Sequence, residues 1–264
     1  MTGTAKGRRA VEAVEVGEVQ VIGRGEVAVL AEAEMRRFAD ALACLEPDEW
    51  RLPTVCAPWS VRDMAGHVLG MAGTFSGWVP LLRVLRALPR LARQPGTLLD
   101  AGTAMQVRTH AGLSTAEVVG GLRRVAPRHA RWRARRRLFR ALPVPNVMRD
   151  GSVETWRMAY LLDRIGTRDT WMHRADLAAA TGRPMVLTAG HDGRIVADVV
   201  AEWAQRHGQP FTLELTGPAG GRFRAGRGGP DLSLDAVEFC RILSGRGTGA
   251  VSYTHLTLPT IYSV

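Results

Sequence analysis

Residues 166–182 read "GTRDTWMHRADLAAATG", and the way this stretch folds decides how the rest of the chain is organised. Gly182 followed by Pro184 is a helix stop signal, and the residues before it suit a helix. On a helix, Asp169 and His173 stand at i and i+4 and share one face, with Cβ atoms about 5–6 Å apart. That spacing serves either an ordinary helix-stabilising pair or two ligands of one ion, and taken alone it favours the pair. Asp176 returns to nearly the same face. There it can orient a ligand imidazole, or it can simply pair with a neighbouring arginine such as Arg174 or Arg183.

Working outward, residues 152–182 form a fourth long helix, broken near Gly166. The first runs through "RGEVAVLAEAEMRRFADALACLEP" (24–47), where Val29, Leu30, Met35, Phe38, Leu42 and Leu45 recur near a helical period before Pro47. The second opens at "PWSVRDMAGHVLGMAG" (58–73), where Ser60 and Asp63 make a capping-box pattern. A proline-punctuated basic apolar segment, "VPLLRVLRALPRLARQPG" (79–96), follows, and after a loop Ser114 with Glu117 opens a third helix that Pro127 should kink. Four long helices with inward apolar faces make a helical bundle over residues 23–183. Residues 1–22 read as a tail or a loosely attached strand. Beyond Arg183 the period changes: a helix at 191–208, a period-two strand "FTLELTG" (211–217), a second strand and turn "GRFRAGRGG" (221–229), and a return to helix in "LSLDAVEFCRILSGR" (232–246). The fold expected is therefore mainly α, a four-helix bundle followed by a small α+β domain over residues 184–250.

A chain of 264 residues with 46% hydrophobic content can bury a core without staples. The formal charge of +10 comes almost entirely from arginine, since Lys6 is the single lysine. Such a bias is what a GC-rich genome produces, so the charge is discounted as a sign of an acidic partner. Cys44, Cys56 and Cys240 form no regular framework, which argues against disulfides. The first twenty residues lack the apolar core of a signal peptide and no run is long enough to span a membrane, so a soluble cytoplasmic protein is expected. The segment "VSYTHLTLPT" from Val251 resembles the translated adapter of a transposase sequencing kit. Residues 251–264, His255 included, are accordingly expected to be non-native and left out of fold reasoning, although their alternation would also suit an edge strand.

The Asp169–His173 pair gains weight when His67 is added. It lies in "DMAGHVLGM" (63–71), on another helix of the bundle and on a side that also carries apolar residues. Bundle cores are where facing helices assemble metal sites. A lone histidine there is usually a hydrogen-bonded core residue, but His67, Asp169 and His173 together suggest a two-histidine, one-carboxylate divalent metal site. Three protein ligands leave a coordination position open, as in catalytic sites. Trp59 and Trp171 flank the motifs as a hydrophobic wall. Cys56 reads as packing ahead of a helix rather than as a ligand or nucleophile. His110, His129, His191 and His207 have no partner at useful spacing and read as surface or capping residues. The glycine-rich "GPAGGRFRAGRGG" (217–229) follows a strand and opens no helix, which makes it a hairpin turn and not a phosphate loop. The run "RRVAPRHARWRARRRLFR" (123–140) is the best case for nucleic acid, but a solvated helix face is the favoured reading.

Taken together, "LACLEPDEWRLPTVCAPWSVRDMAGHVLG" (42–70) and "TRDTWMHRADLAAATGRP" (167–184) resemble the mycothiol-dependent maleylpyruvate isomerase family, within the DinB-like four-helix superfamily. The likeness extends through "LTAGHDGRIVADVVAEWAQRHG" (187–208) and "DAVEFCRILSGRG" (235–247). It implies that His67, Asp169 and His173 hold a divalent metal, usually zinc, with Asp169 standing where the founding isomerase has glutamate. It also implies mycothiol as thiol cosubstrate and a small electrophile as substrate: the metal-activated thiol adds to a double bond, rotation follows, and the thiol leaves. Arginines would bind the substrate carboxylates, and Arg246 in "LSGRG" (243–247) is the candidate catalytic residue, with anchoring of the C-terminal segment as its structural alternative. The resemblance thus implies a metal-dependent isomerase or thiol transferase. Two other readings stay open at this point: a metal-binding or regulatory module without turnover, and an arginine-rich nucleic-acid binder.

Overall fold

The computed structural model of the chain describes residues 12–95, 97–147 and 153–246. In order they form β1 (Val14–Glu15), α1 (Val27–Ala43), α2 (Val61–Thr74), α3 (Trp78–Leu91), α4 (Leu98–His110), α5 (Thr115–Arg135), α6 (Arg137–Ala141), β2 (Pro143–Val147), β3 (Val153–Arg157), α7 (Met158–Tyr160), a π-helical turn (Leu161–Ile165), α8 (Gly166–Thr181), α9 (Arg194–His207), β4 (Phe211–Thr216), β5 (Gly221–Ala225), β6 (Asp231–Asp235) and α10 (Ala236–Leu243). The chain divides into two compact units, one built from Ile22–Val186 with Ser244–Arg246, the other from Leu187–Leu243 with the described residues 12–21. The segment 251–264, expected to be an adapter remnant, lies outside the described residues.

The larger unit is a helical bundle. Its core joins Met35, Phe38 and Leu42 of α1, Val61, Met64 and Val68 of α2, Val118, Leu122 and Val125 of α5, and Leu177 of α8. Each such side chain contributes about 1.5–3 kcal/mol by leaving water. Helix α1 packs on α5 and α8, while α2 packs on α4, α5 and α8. The start of α2 is fixed as its sequence demands: Asp63 N–H donates to Ser60 Oγ at 3.2 Å and Ser60 N–H to Asp63 Oδ2 at 3.0 Å. This box places His67 about two turns in, on the buried side. Helix α5 begins in the same way at Ser114 and Glu117 and runs on through Pro127 to Arg135.

The fourth long helix is shorter than its sequence suggested. Residues 153–157 are strand β3, antiparallel to β2 with Val144 opposite Trp156, and only after them does the chain turn helical. The apolar residues from Trp156 to Ile165 can be spaced to fit a helix, but Val153–Arg157 alternates between exposed and half-buried, as a strand does. Helix α3 takes up most of the basic apolar stretch that begins at Val79, and the loop expected after that stretch holds α4.

The arginine-rich run is partly internal. Trp132 is buried against Leu81 and Leu162. Arg140 Nη1 donates to Asp163 Oδ1 at 2.6 Å, and buried Arg133 donates to Thr167 Oγ1 at 2.8 Å. His129, expected at the surface, is 1% exposed beside Arg133.

In the smaller unit a four-stranded sheet has the order β1-β5-β4-β6, with β4 antiparallel to β5 and parallel to β6, and β1 parallel to β5. Residues 232–235, expected to be helical, form most of β6 before α10 begins. Trp203 of α9 anchors this unit's core against Phe211 and Phe239. The β4–β5 turn needs glycine, since a Cβ on Gly220 would lie 2.0 Å from the Leu215 carbonyl oxygen. No single helix among the described residues is long and apolar enough to cross a membrane.

Candidate metal centre

Helix α8 carries polar residues on every face, yet every residue from Thr167 to Leu177 is buried. Burial of that kind must be compensated inside the protein. The residues singled out in the sequence account for much of it. His67 of α2 meets Asp169 and His173 of α8, and one ligand atom from each lies within 4.8 Å of the other two. His67 Nε2 is 3.7 Å from Asp169 Oδ2, and His173 Nε2 is 3.5 Å from Asp169 Oδ1.

Those separations are too long for good hydrogen bonds. They are close to the spacing of atoms that share an ion, because ligands about 2.0–2.2 Å from a tetrahedral centre stand about 3.3–3.6 Å apart. The other ring nitrogens are already committed. His67 Nδ1 donates to Gln106 Oε1 at 2.7 Å, and His173 Nδ1 donates to Asp176 Oδ2 at 3.1 Å. Each imidazole therefore turns a lone pair on Nε2 toward Asp169, and both Nε2 atoms are buried without a hydrogen-bond partner. Two orphaned acceptors beside a carboxylate suit a cation, so the residues present fit a divalent metal.

The electrostatics agree. Burial disfavours the Asp169 carboxylate, but His173 and then His67 outweigh it and hold its pKa down at about 2. Burial also disfavours a charged His173, yet Asp169, Asp176 and Cys56 more than offset this and push it up to about 10. Both shifts express one preference, that the two carboxylates favour positive charge among these imidazoles.

Asp176 does both of the things its sequence allowed, but the arginine it pairs with is Arg246. Arg174 pairs instead with Glu34 and Arg183 with Glu49. Asp176 accepts from His173, and Arg246 Nε donates to both of its oxygens at 3.0 Å. Cys56 is not mere packing, because its Sγ lies 3.4 Å from Asp176 Oδ2 and 3.7 Å from Arg246 Nη2. Cys56, His173 and Asp176 are close enough to make a second ligand set. Arg246 already supplies positive charge there, so the physical reading is support for the first set. Trp59 forms a wall, its ring centroid 4.9 Å from that of His67.

Gln106 is the residue that sequence reasoning missed. It reaches His67 because α2 and α4 approach closely at Gly66 and Gly70, where a Cβ would meet His110 and Gln106. Glycines four apart on a buried helix face were the available signal.

Comparison with known proteins follows this geometry. Residues 31–178 match the family described as Mycothiol maleylpyruvate isomerase N-terminal domain. No curated protein matches the chain. Among solved structures, the mycothiol-dependent maleylpyruvate isomerase and a histidine-to-alanine mutant of it are similar, with TM-scores of 0.53 and 0.52. In each case identity is 17%, covering 89% of this chain and 93% of that chain. Likeness at that identity speaks for the fold.

Proposed function

The chain belongs to the mycothiol maleylpyruvate isomerase family, and from that premise we propose that it is a metal-dependent, mycothiol-linked isomerase or thiol transferase acting on a small electrophile. His67, Asp169 and His173 are the proposed ligands, with zinc the metal that two imidazoles and a carboxylate suit. The observation that carries this reading is the pair of buried Nε2 atoms, each without a hydrogen-bond partner and each turned toward Asp169.

A divalent ion held there supplies the charge that keeps a thiol deprotonated at neutral pH. The protein's own residues do the rest. Gln106 and Asp176 hold the Nδ1–H tautomers, so both Nε2 lone pairs stay available. Trp59 shields the imidazoles on one side. Arg246 is the proposed catalytic residue that meets a substrate carboxylate, and its bonds to Asp176 support its placement beside the ligands. They also give it a positioning role. Maleylpyruvate is the first electrophile to try, since the similar solved structures are of an enzyme named for it.

The test is incubation of the purified protein with mycothiol and a panel of electrophiles, maleylpyruvate among them, with and without a chelator. Product that requires both thiol and metal is expected. Stoichiometric metal with no turnover across the panel would favour the binding or regulatory module.

A further inference from the structure

Helix α3 has one face seated on the bundle and another that none of it covers. Leu81 and Leu91, each 4% exposed, face the core, where Leu81 packs with Trp132 and Leu162. On the outer side, Trp78, Val79, Leu82 and Leu85 are 46%, 60%, 44% and 45% exposed. At 3.6 residues per turn, Leu85, Trp78, Pro89 and Leu82 fall within a sector of about 60°, and Arg86, Arg90 and Arg83 fill the adjoining sector. The apolar strip continues beyond the helix. Trp78 packs edge-on against Trp132 and Phe139 with Arg136 over its ring, and Leu138 beside Phe139 is 88% exposed.

The charge on this face is not explained by the chain's general richness in arginine. The chain holds 25 acidic residues, yet none lies between Asp63 and Asp100. Some exposed arginines elsewhere find acids, as in Arg36–Glu32, Arg123–Asp40, Arg183–Glu49 and Arg224–Glu15, while others such as Arg128, Arg131 and Arg227 do not, so it is the acid-free stretch that sets this face apart. Arg83, Arg86, Arg90 and Arg93 are exposed, and none has an acidic partner among the described residues. An exposed Trp/Leu strip bordered by unpaired arginines is the composition of a helix that lies in a membrane interface.

We propose that α3 docks the protein onto an anionic lipid surface, with Trp78, Leu82 and Leu85 entering the boundary between headgroups and acyl chains while Arg83, Arg86 and Arg90 meet lipid phosphates. This is peripheral attachment and not a span. A second copy of the chain fits the face poorly, because pairing it with itself offers no acidic residue to meet the arginines. A nucleic acid would satisfy the arginines but leave the leucine strip in water.

The test is co-sedimentation of the full chain with vesicles of phosphatidylcholine alone or of equal phosphatidylcholine and phosphatidylglycerol. Binding to the mixed vesicles only, weakening with salt, is expected. The exposed double variant Arg86→Ser/Arg90→Ser should lower partitioning about thirtyfold. Leu82→Ser/Leu85→Ser should lower it at least about tenfold, with circular dichroism and metal content unchanged in both. The proposal is overturned by absence of binding to the mixed vesicles, or by binding that survives both double variants. It is equally overturned if lipid is ignored and the leucine variant abolishes a concentration-dependent dimer, or if duplex DNA is bound in place of vesicles and only the arginine variant loses it.

Discussion

A Cβ on Gly70 of α2 would lie 2.7 Å from the Cβ of Gln106 on α4, so the helices meet there only because position 70 has no side chain. That closeness is what brings Gln106 Oε1 to 2.7 Å from His67 Nδ1. Gly70→Ala gains about 0.5–1 kcal/mol of helix preference but forces apart two backbones whose contact is not with a flexible side-chain end, at about 1–3 kcal/mol. The expected net result is a less stable protein by denaturant unfolding. Gln106→Met, nearly equal in volume, should leave stability within about 1 kcal/mol while metal affinity falls about 10–100-fold. Parent-like metal binding in Gln106→Met would remove Gln106 from the account.

Arg246 can be assigned by separating KM from metal content. Its Nε is bonded to Asp176, which in turn holds His173. Arg246→Gln is expected to raise KM for a carboxylate-bearing electrophile about 10–100-fold, the scale of a lost charge-assisted hydrogen bond. Metal should stay near one ion per chain. The opposite pattern, weaker metal binding with KM unchanged once metal is added in excess, would leave Arg246 the sole task of positioning Asp176.

Much of this centre was legible because its residues obey local spacing rules. Asp169, His173 and Asp176 follow a helical period, and Ser60 with Asp63 announces the helix that carries His67. Gln106 and the pairings of the arginines were hidden because they join distant segments, and Arg246 was singled out only through the family resemblance. Gln106 joins through a close approach of two helices, Arg246 comes from 70 residues beyond Asp176, and Arg140 finds Asp163 across 23 residues. The β2–β3 hairpin was missed for a different reason, since Trp156, Met158 and Leu161 also fit a helix and masked the short alternation of residues 153–157.

His129 should set an acid limit on stability. Burial, followed by the charge of Arg133, pulls its pKa well below 6.5 in the fold. A histidine depressed in this way takes up its proton more readily unfolded, so its contribution is complete above about pH 6.5 and is lost as pH falls below that value. The loss approaches about 1.4 kcal/mol per pH unit for one proton. Unfolding free energy measured from pH 7.5 to 5 should show that slope, and His129→Gln, which keeps an acceptor near Arg133, should flatten it. An unchanged slope in the variant would assign the acid sensitivity elsewhere.

The most direct measurement is elemental analysis of the purified protein beside His67→Ala and Asp169→Ala. The account predicts about one divalent ion per chain in the parent, and loss of the ion or far weaker binding in both variants. Stoichiometric metal retained in both would contradict the assignment of His67, Asp169 and His173 as its ligands.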